Sequence, residues 1–291
     1  MDIFATFVLP ALVGIGIGIL SGMLGIGGGT VLVPIFRLAF GMSPIMSTAT
    51  SLFTIIPTSI SGAVSHVRHK TCVPSLGVAA GLGGACTSPI GVWLATISPA
   101  WLVMLAAALI IGYSAVNMLR KAWKMKPSAV PPASRPTEPA DAAETLADVG
   151  GPAAASPAGA DAPTKLTRKQ LLIGAAIGLG AGLASGYVGV GGGFIMVPLM
   201  LSLVGISMKQ ASGTSLIAVM LLAIPGTIEQ GLLGNIDYLA GIAVAIGSIP
   251  GAVIGARLVR LVPERTLRFI FGGFLIVAAA VLALNEMGVL G

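Results

Sequence analysis

The sequence predicts an all-α integral membrane protein made of two inverted-topology repeats of about five helical segments each, the second segment of each repeat being short. Long uncharged stretches, a motif repeated in strict register and the map of basic residues carry that prediction. Of 291 residues, 55% are hydrophobic and 9% are charged, far less charge than a soluble domain of this length spreads over its surface. No Asp, Glu, Lys or Arg occurs from Ile3 to Phe36, from Thr71 to Leu119 or from Gln170 to Met208. A spanning helix takes roughly 20 apolar residues, so each stretch holds at least one. Residues 71–119 hold two, hinged at Ser98-Pro99.

Taken in order, the first repeat (residues 1–125) places apolar segments at about 4–24, 30–41, 45–66, 74–96 and 99–121. The opening Met1-Asp2-Ile3-Phe4 lacks a basic n-region, so the first segment is expected to stay in the bilayer rather than be cleaved. The second segment follows a run of glycines and is too short for a full crossing, which suggests a half-helix or the return arm of a hairpin. Residues 126–164 are rich in Pro, Ala and Gly with scattered acids. They lack the periodicity needed to bury a core and are expected to form a disordered tether. The second repeat (165–291) places segments at about 169–188, 194–205, 209–230, 238–259 and 264–285. Cys72 and Cys86 lie 14 residues apart. Along a helix that is about 20 Å, beyond disulfide reach, and neither has a partner at metal-ligand spacing.

The repeats keep register without a gap. Ser21-Gly22-Met23-Leu24-Gly25-Ile26-Gly27-Gly28-Gly29 returns 164 residues later as Ser185-Gly186-Tyr187-Val188-Gly189-Val190-Gly191-Gly192-Gly193, and Pro34 returns as Pro198. Gly41 falls on Gly205, Ser43 on Ser207, Thr50-Ser51-Leu52 on Thr214-Ser215-Leu216, Gly62 on Gly226, Gly77 on Gly241, Gly91 on Gly255 and Pro99 on Pro263. Chance does not hold register that long, so the halves arose by duplication.

Basic residues set orientation. Arg68 and Lys70, the Arg120–Lys126 and Lys165–Lys169 clusters, Lys209, and the Arg257–Arg268 cluster all fall between segments. Placing them in the cytoplasm requires five crossings per repeat and both termini outside; Arg37 alone disagrees. The formal charge of +6 is thereby explained by topology, with no call for nucleic acid as a partner. The third segment then runs inward and its mate, the eighth, outward. Inverted repeats are a signature of secondary transporters, with the site near the midplane.

Two constellations are candidates for a small anionic substrate. Gly27, Gly28 and Gly29, and again Gly191, Gly192 and Gly193, open short helices, where backbone N–H groups and the helix dipole favour an anion. Neither run is followed by Lys-Ser/Thr, so neither is a nucleotide P-loop. Close packing of helices through small residues is the competing explanation. Ser47, Thr48, Thr50 and Ser51, matched by Ser212, Thr214 and Ser215, can donate to oxyanions without placing a fixed charge in the bilayer. They can equally bond back to their own preceding turn. Among ionisable groups His66, Arg68 and Glu229 lie near segment ends and are candidates for coupling or gating. No metal site and no cofactor is implied.

The doubled Ser-Gly-x-x-Gly-x-Gly-Gly-Gly-x-x-x-x-Pro, the runs Ser47–Leu52 and Ala211–Leu216, and Gly234-Asn235-Ile236-Asp237 resemble the sulfite exporter TauE/SafE family, also called the sulfonate or toluene-sulfonate uptake permeases. The resemblance covers both halves. The first half departs from it at Lys70-Thr71-Cys72-Val73, where Gly-Asn-Val-Asp is usual. It implies a permease of the bacterial inner membrane for sulfite, sulfoacetate or another organosulfonate. A membrane enzyme and a channel or receptor subunit are the competing classes. Against an enzyme, His66 and His69 are the only histidines and no acid pairs with them inside the bilayer. Assembly of several copies stays open.

Overall fold

The computed structural model describes residues 8–124 and 167–286. The tether expected at 126–164 lies outside the described residues. In the first half α1 spans Leu9–Leu24, α2 Gly29–Leu38, α3 Pro44–Arg68, α4 Pro74–Ile97 and α5 Ala100–Lys124. In the second, α6 spans Arg168–Val188, α7 Gly193–Leu199, α8 Met208–Leu232, α9 Tyr238–Leu258 and α10 Glu264–Glu286.

Local chemistry explains these boundaries. Ser43 caps α3, its hydroxyl accepting from the Met46 N–H ahead of Pro44. Its mate Ser207 caps α8 in a reciprocal box with Gln210, satisfying N–H groups that a helix start leaves without partners. Helices α4 and α5 are split at the expected Ser98-Pro99 hinge, where Ser98 is extended, as the residue before a proline prefers. The short second segments are real: α2 has 10 residues, and α7 has 7 before a π-helical turn over Met200–Val204. Pro198 sits just ahead of that turn, and a missing N–H is one way a helix is widened.

Five helices, α4, α5 (from Trp101), α6, α8 and α9, are long and apolar enough to cross a membrane. Helix α3 has the length, at 25 residues, but nine Ser and Thr dilute its hydropathy. Helix α10 opens with Glu264, Arg265 and Arg268 before its apolar stretch. Several apolar helices of this kind make the chain a multi-pass membrane protein.

The helices pair across the halves. Helix α1 lies along α9 and α6 along α4, while α5 packs on α10 and α3 on α8. Gly14, Gly18 and Gly22 of α1 sit on Val244, Ser248 and Ala252 of α9. The same geometry recurs 164 residues on, with Gly178, Gly182 and Gly186 of α6 on Ala80, Gly84 and Ser88 of α4. At each of these glycines a methyl group would strike the partner's backbone. This is the small-residue packing that lets membrane helices approach closely. Where α9 offers Gly251 to Ile15, α4 has Thr87 instead, and its hydroxyl donates to the Leu179 carbonyl at 2.7 Å. At the centre Gly226 faces Leu52, Gly62 faces Leu216 and Gly213 faces His66, so α3 and α8 run antiparallel.

Candidate functional site

The two glycine runs are the turns between α1 and α2 and between α6 and α7. Gly25, Gly27 and Gly28 have φ of 75°, 78° and 88°, and Gly189, Gly191 and Gly192 have 73°, 84° and 65°. Residues with a Cβ rarely adopt that region, so the glycines are required by the turn itself. The turns bring Gly27–Gly29 and Gly191–Gly193 together in the interior. The Val190 carbonyl lies over Gly29, and the Gly25 and Ile26 carbonyls lie over Gly193. Two mates one register apart, Ile55 of α3 and Val219 of α8, fill the angle between the turns, each fully buried.

The hydroxyl residues divide by role. Ser47 donates to the Ser43 carbonyl at 2.9 Å, Thr48 to Ile45 at 2.8 Å and Ser212 to Met208 at 2.9 Å; all three bond back to their own turn. Thr50 accepts the Asp237 N–H at 3.0 Å, and its mate Thr214 accepts the Val73 N–H at 2.9 Å. Each thus holds the start of a helix, α9 or α4, packed against its own. Ser215 donates to the Gly25 carbonyl at 2.6 Å and so ties α8 to the first turn. Ser51 is fully buried and its hydroxyl has no partner among the described residues.

Ser21 and Ser59 share that condition: both are buried and their hydroxyls are unpartnered among the described residues. The Ser59 Oγ lies 3.3 Å from where a Cβ on Gly27 would stand, and the Ser21 Cβ 3.7 Å from one on Gly28. Both therefore flank the first turn. Across the register Ser21 returns as Ser185, again buried and unpartnered, but Ser59 returns as Ala223.

His66 is fully buried. Its Nε2 is 2.8 Å from the Gly22 carbonyl and its Nδ1 2.8 Å from the Thr71 hydroxyl. A carbonyl only accepts, so Nε2 carries the proton and Thr71 donates to Nδ1. The mates of this pair are Gln230 and Asn235, whose side chains bond at 2.8 Å. His66 thereby ties the end of α1 to the α3–α4 turn. Arg68 is exposed and lines a groove with His69 and Arg257. Beside it His69, Lys209, Arg257 and Arg260 line a basin of about 560 Å³. There Arg260 donates to His69 and Lys209 to the Arg260 carbonyl. Because α3 and α8 are antiparallel, Glu229 stands at the opposite end from Arg68. Burial pushes the Cys72 thiol up to about 11, so it is protonated at neutral pH and a poor nucleophile. Among the described residues no group of three or more His, Cys, Asp or Glu could hold a metal ion.

The sequence profile of the family described as sulfite exporter TauE/SafE matches residues 10–282, nearly the whole chain. The chain belongs to that family. A TauE/SafE chain is a membrane transporter and not an enzyme, and its relatives carry such names. The probable membrane transporter protein YdhB of Bacillus subtilis is 29% identical over 253 residues, covering 87% of this chain and 90% of that one. The probable membrane transporter protein YunE of the same organism is 26% identical, covering 90% and 92%. The probable membrane transporter protein MamO of Magnetospirillum gryphiswaldense is 37% identical over 105 residues, 33% of this chain and 17% of that protein. No solved structure matches.

Against this family background, two features of the site went unread in the sequence. Ile55 and Val219 look like ordinary core residues, although their spacing of 164 and mid-helix positions mark them as mates. Ser21 and Ser59 lie on α1 and α3 outside the quoted hydroxyl runs, and only packing brings them to the first glycine turn.

Proposed function

We propose that the chain is a secondary transporter of a small anion, sulfite or an organosulfonate such as sulfoacetate, working by alternating access between two inverted repeats. The observation that carries this reading is the reciprocal contact of the two glycine turns, each made of positions that return 164 residues later. Contacts repeated in both directions fit a two-fold relation between the halves, and the antiparallel α3 and α8 fit an axis in the membrane plane. A site on such an axis can be opened to either face by rocking one half against the other. Residues 1–125 and 165–291 are then the rocking units and 126–164 the tether between them, in the cytoplasm, with both termini outside.

The chemistry of the site suits an oxyanion with three oxygens. A helix start such as that of α2 leaves N–H groups without intrahelical partners, although at α7 the first of them, Gly193, already donates to the Gly191 carbonyl at 2.8 Å. Buried hydroxyls add donors without a fixed charge. Thr50, Ser51, Thr214 and Ser215 complete the proposed cage. Three of these four, Thr50, Thr214 and Ser215, also hold a turn or a helix start, so cage and scaffold share residues, while the Ser51 hydroxyl has no partner among the described residues. No charged group needs to be dehydrated at the site, which in a bilayer costs several kcal/mol per ion. The basin of His69, Lys209, Arg257 and Arg260 gives anions an attractive approach from one face.

Counterflow in proteoliposomes tests the reading. Purified protein loaded with unlabelled sulfite should accelerate uptake of labelled sulfite, saturably, and methanesulfonate should compete. Uptake without trans-acceleration would identify a channel, and no uptake of either anion would remove the substrate assignment. Cysteines placed at positions 140 and 290 test the orientation, since labelling of both from one side is incompatible with inversion.

A further inference from the structure

We propose that the substrate's oxygen-bearing head is held off the axis, by the first-half turn Gly27–Gly29 together with Ser21 and Ser59, while the second-half turn supplies packing. The proposal rests on the anion-transporter reading above and refines its site.

Buried polar groups in folded proteins are nearly always hydrogen-bonded, so a cluster of exceptions calls for a partner. Ser59 is 0% exposed and Ser21 1%, both with unpartnered hydroxyls, and both flank the same turn. Helix serines usually bond their own preceding turn, as Ser47 and Ser212 do here. Ser21 and Ser59 do not, which leaves two donors beside the start of α2, a helix of ten residues. The other turn is built differently. Ala223 stands where Ser59 stands, and Phe194, fully buried, stands where α2 has Thr30 as its second residue. Ile55 and Val219 lie between the turns and close the direct path from one to the other. A symmetric cage would carry the same donors on both sides, and in the second half the mate of Ser59 is Ala223, which has no hydroxyl. An anion with three oxygens and one apolar substituent fits this arrangement, with its oxygens on the first turn and its substituent against Ile55 and Val219. Methanesulfonate is the simplest such ligand, and sulfite tests the head alone.

The experiment is equilibrium binding of methanesulfonate and of sulfite to purified protein, for wild type, Ser59→Ala, Ser21→Ala and the mate Ser185→Ala. Ser59→Ala and Ser21→Ala should each weaken both anions about tenfold or more, as expected for a lost hydrogen bond to a charged group. Ser185→Ala should bind within about twofold of wild type. Equal loss at Ser21 and Ser185 would show that the two turns share the anion and would overturn the proposal. So would wild-type affinity in both Ser59→Ala and Ser21→Ala. Size-exclusion profiles establish that the variants are folded, and Ser59→Cys, of similar size and a weak donor, replaces Ser59→Ala if the latter is not. Wild-type protein that neither binds nor exchanges either anion removes the transport reading, and this proposal with it. Wild-type exchange that is indifferent to Ser21 and Ser59 overturns the proposal alone.

Discussion

Along α8 the interior positions Ala218, Leu222 and Ala223 are apolar; 164 residues earlier the same positions of α3 are Thr54, Thr58 and Ser59. All six are fully buried. Thr54 donates to the Thr50 carbonyl at 2.9 Å, and Thr58 meets the Ser248 hydroxyl at 2.5 Å, where the mates Leu222 and Gly84 simply pack. The two halves therefore share a backbone framework and differ in what they place inside it. Most glycines at the helix crossings and in the two glycine turns stand in both copies, where a Cβ would collide with the partner or strain the turn, whereas a buried Thr and a buried Leu can fill similar space. The matched positions keep the frame, and their polarity differs between the halves.

The largest effects should come from the shared frame. Gly18→Val and Gly182→Val each press a side chain onto partner backbone, at Ser248 and Gly84. Each should cost about 3 kcal/mol or more and abolish the monodisperse peak of a fluorescent fusion. Gly16 and Gly180 are also mates, but among the described residues nothing lies within 4 Å of a Cβ added at either. Gly16→Ala and Gly180→Ala should be tolerated, gaining up to about 1 kcal/mol from helix propensity. Tolerance of one valine but not the other would break the equivalence of the crossings.

Next come the ties that differ between halves. His66→Ala strands the Gly22 carbonyl and Thr71 in a buried setting and should cost about 2–3 kcal/mol in thermal unfolding. Gln230→Ala, which loses one side-chain bond, should cost about 1–2 kcal/mol. Converting the first half to the second with His66→Gln and Thr71→Asn together should recover part of the loss, and no recovery would mean that the ring shape itself is required. Thr50→Val and Thr214→Val are comparable to Gln230→Ala: each leaves one N–H at a helix start unpaired, for about 1–2 kcal/mol. Denaturation midpoints should match between the two. A large inequality would show that the α9 and α4 starts are not equivalent. Lastly, Lys70 has φ 55° where Gly234 has 70°. Lys70→Gly should stabilise the protein by about 0.5–1 kcal/mol, and Gly234→Lys should cost a similar amount.

The helix boundaries were legible because each is marked locally: Ser43 and Ser207 cap, Pro44 and Pro74 start helices, and Gly25 and Gly189 end them. The meeting of the glycine turns was legible through the register, since mates are expected to approach one another about an axis. The pairing of α1 with α9 and of α4 with α6 was not, because a stripe of glycines says that something packs closely without saying what. The hydroxyls were half legible. Clustering singled out Thr50 and Thr214, but their acceptor roles depend on backbone 187 and 141 residues away. Ser59 was invisible for the same reason: its neighbour at Gly27 is brought there by the turn, not by proximity in sequence.

The crossed pairing of α1 with α9 constrains how the chain is made. The surface of α1 that Gly14, Gly18 and Gly22 present has its match at residues 244–252, which leave the ribosome only after α2 to α8. At about 5–20 residues per second, α1 waits on the order of 10–50 seconds for its partner, with a backbone-deep groove open to lipid or to the insertion machinery. Helix α4 waits a shorter interval for α6. A chain interrupted after α5 has neither partner, so the first half made alone should remain a substrate for quality-control proteolysis until the second half arrives.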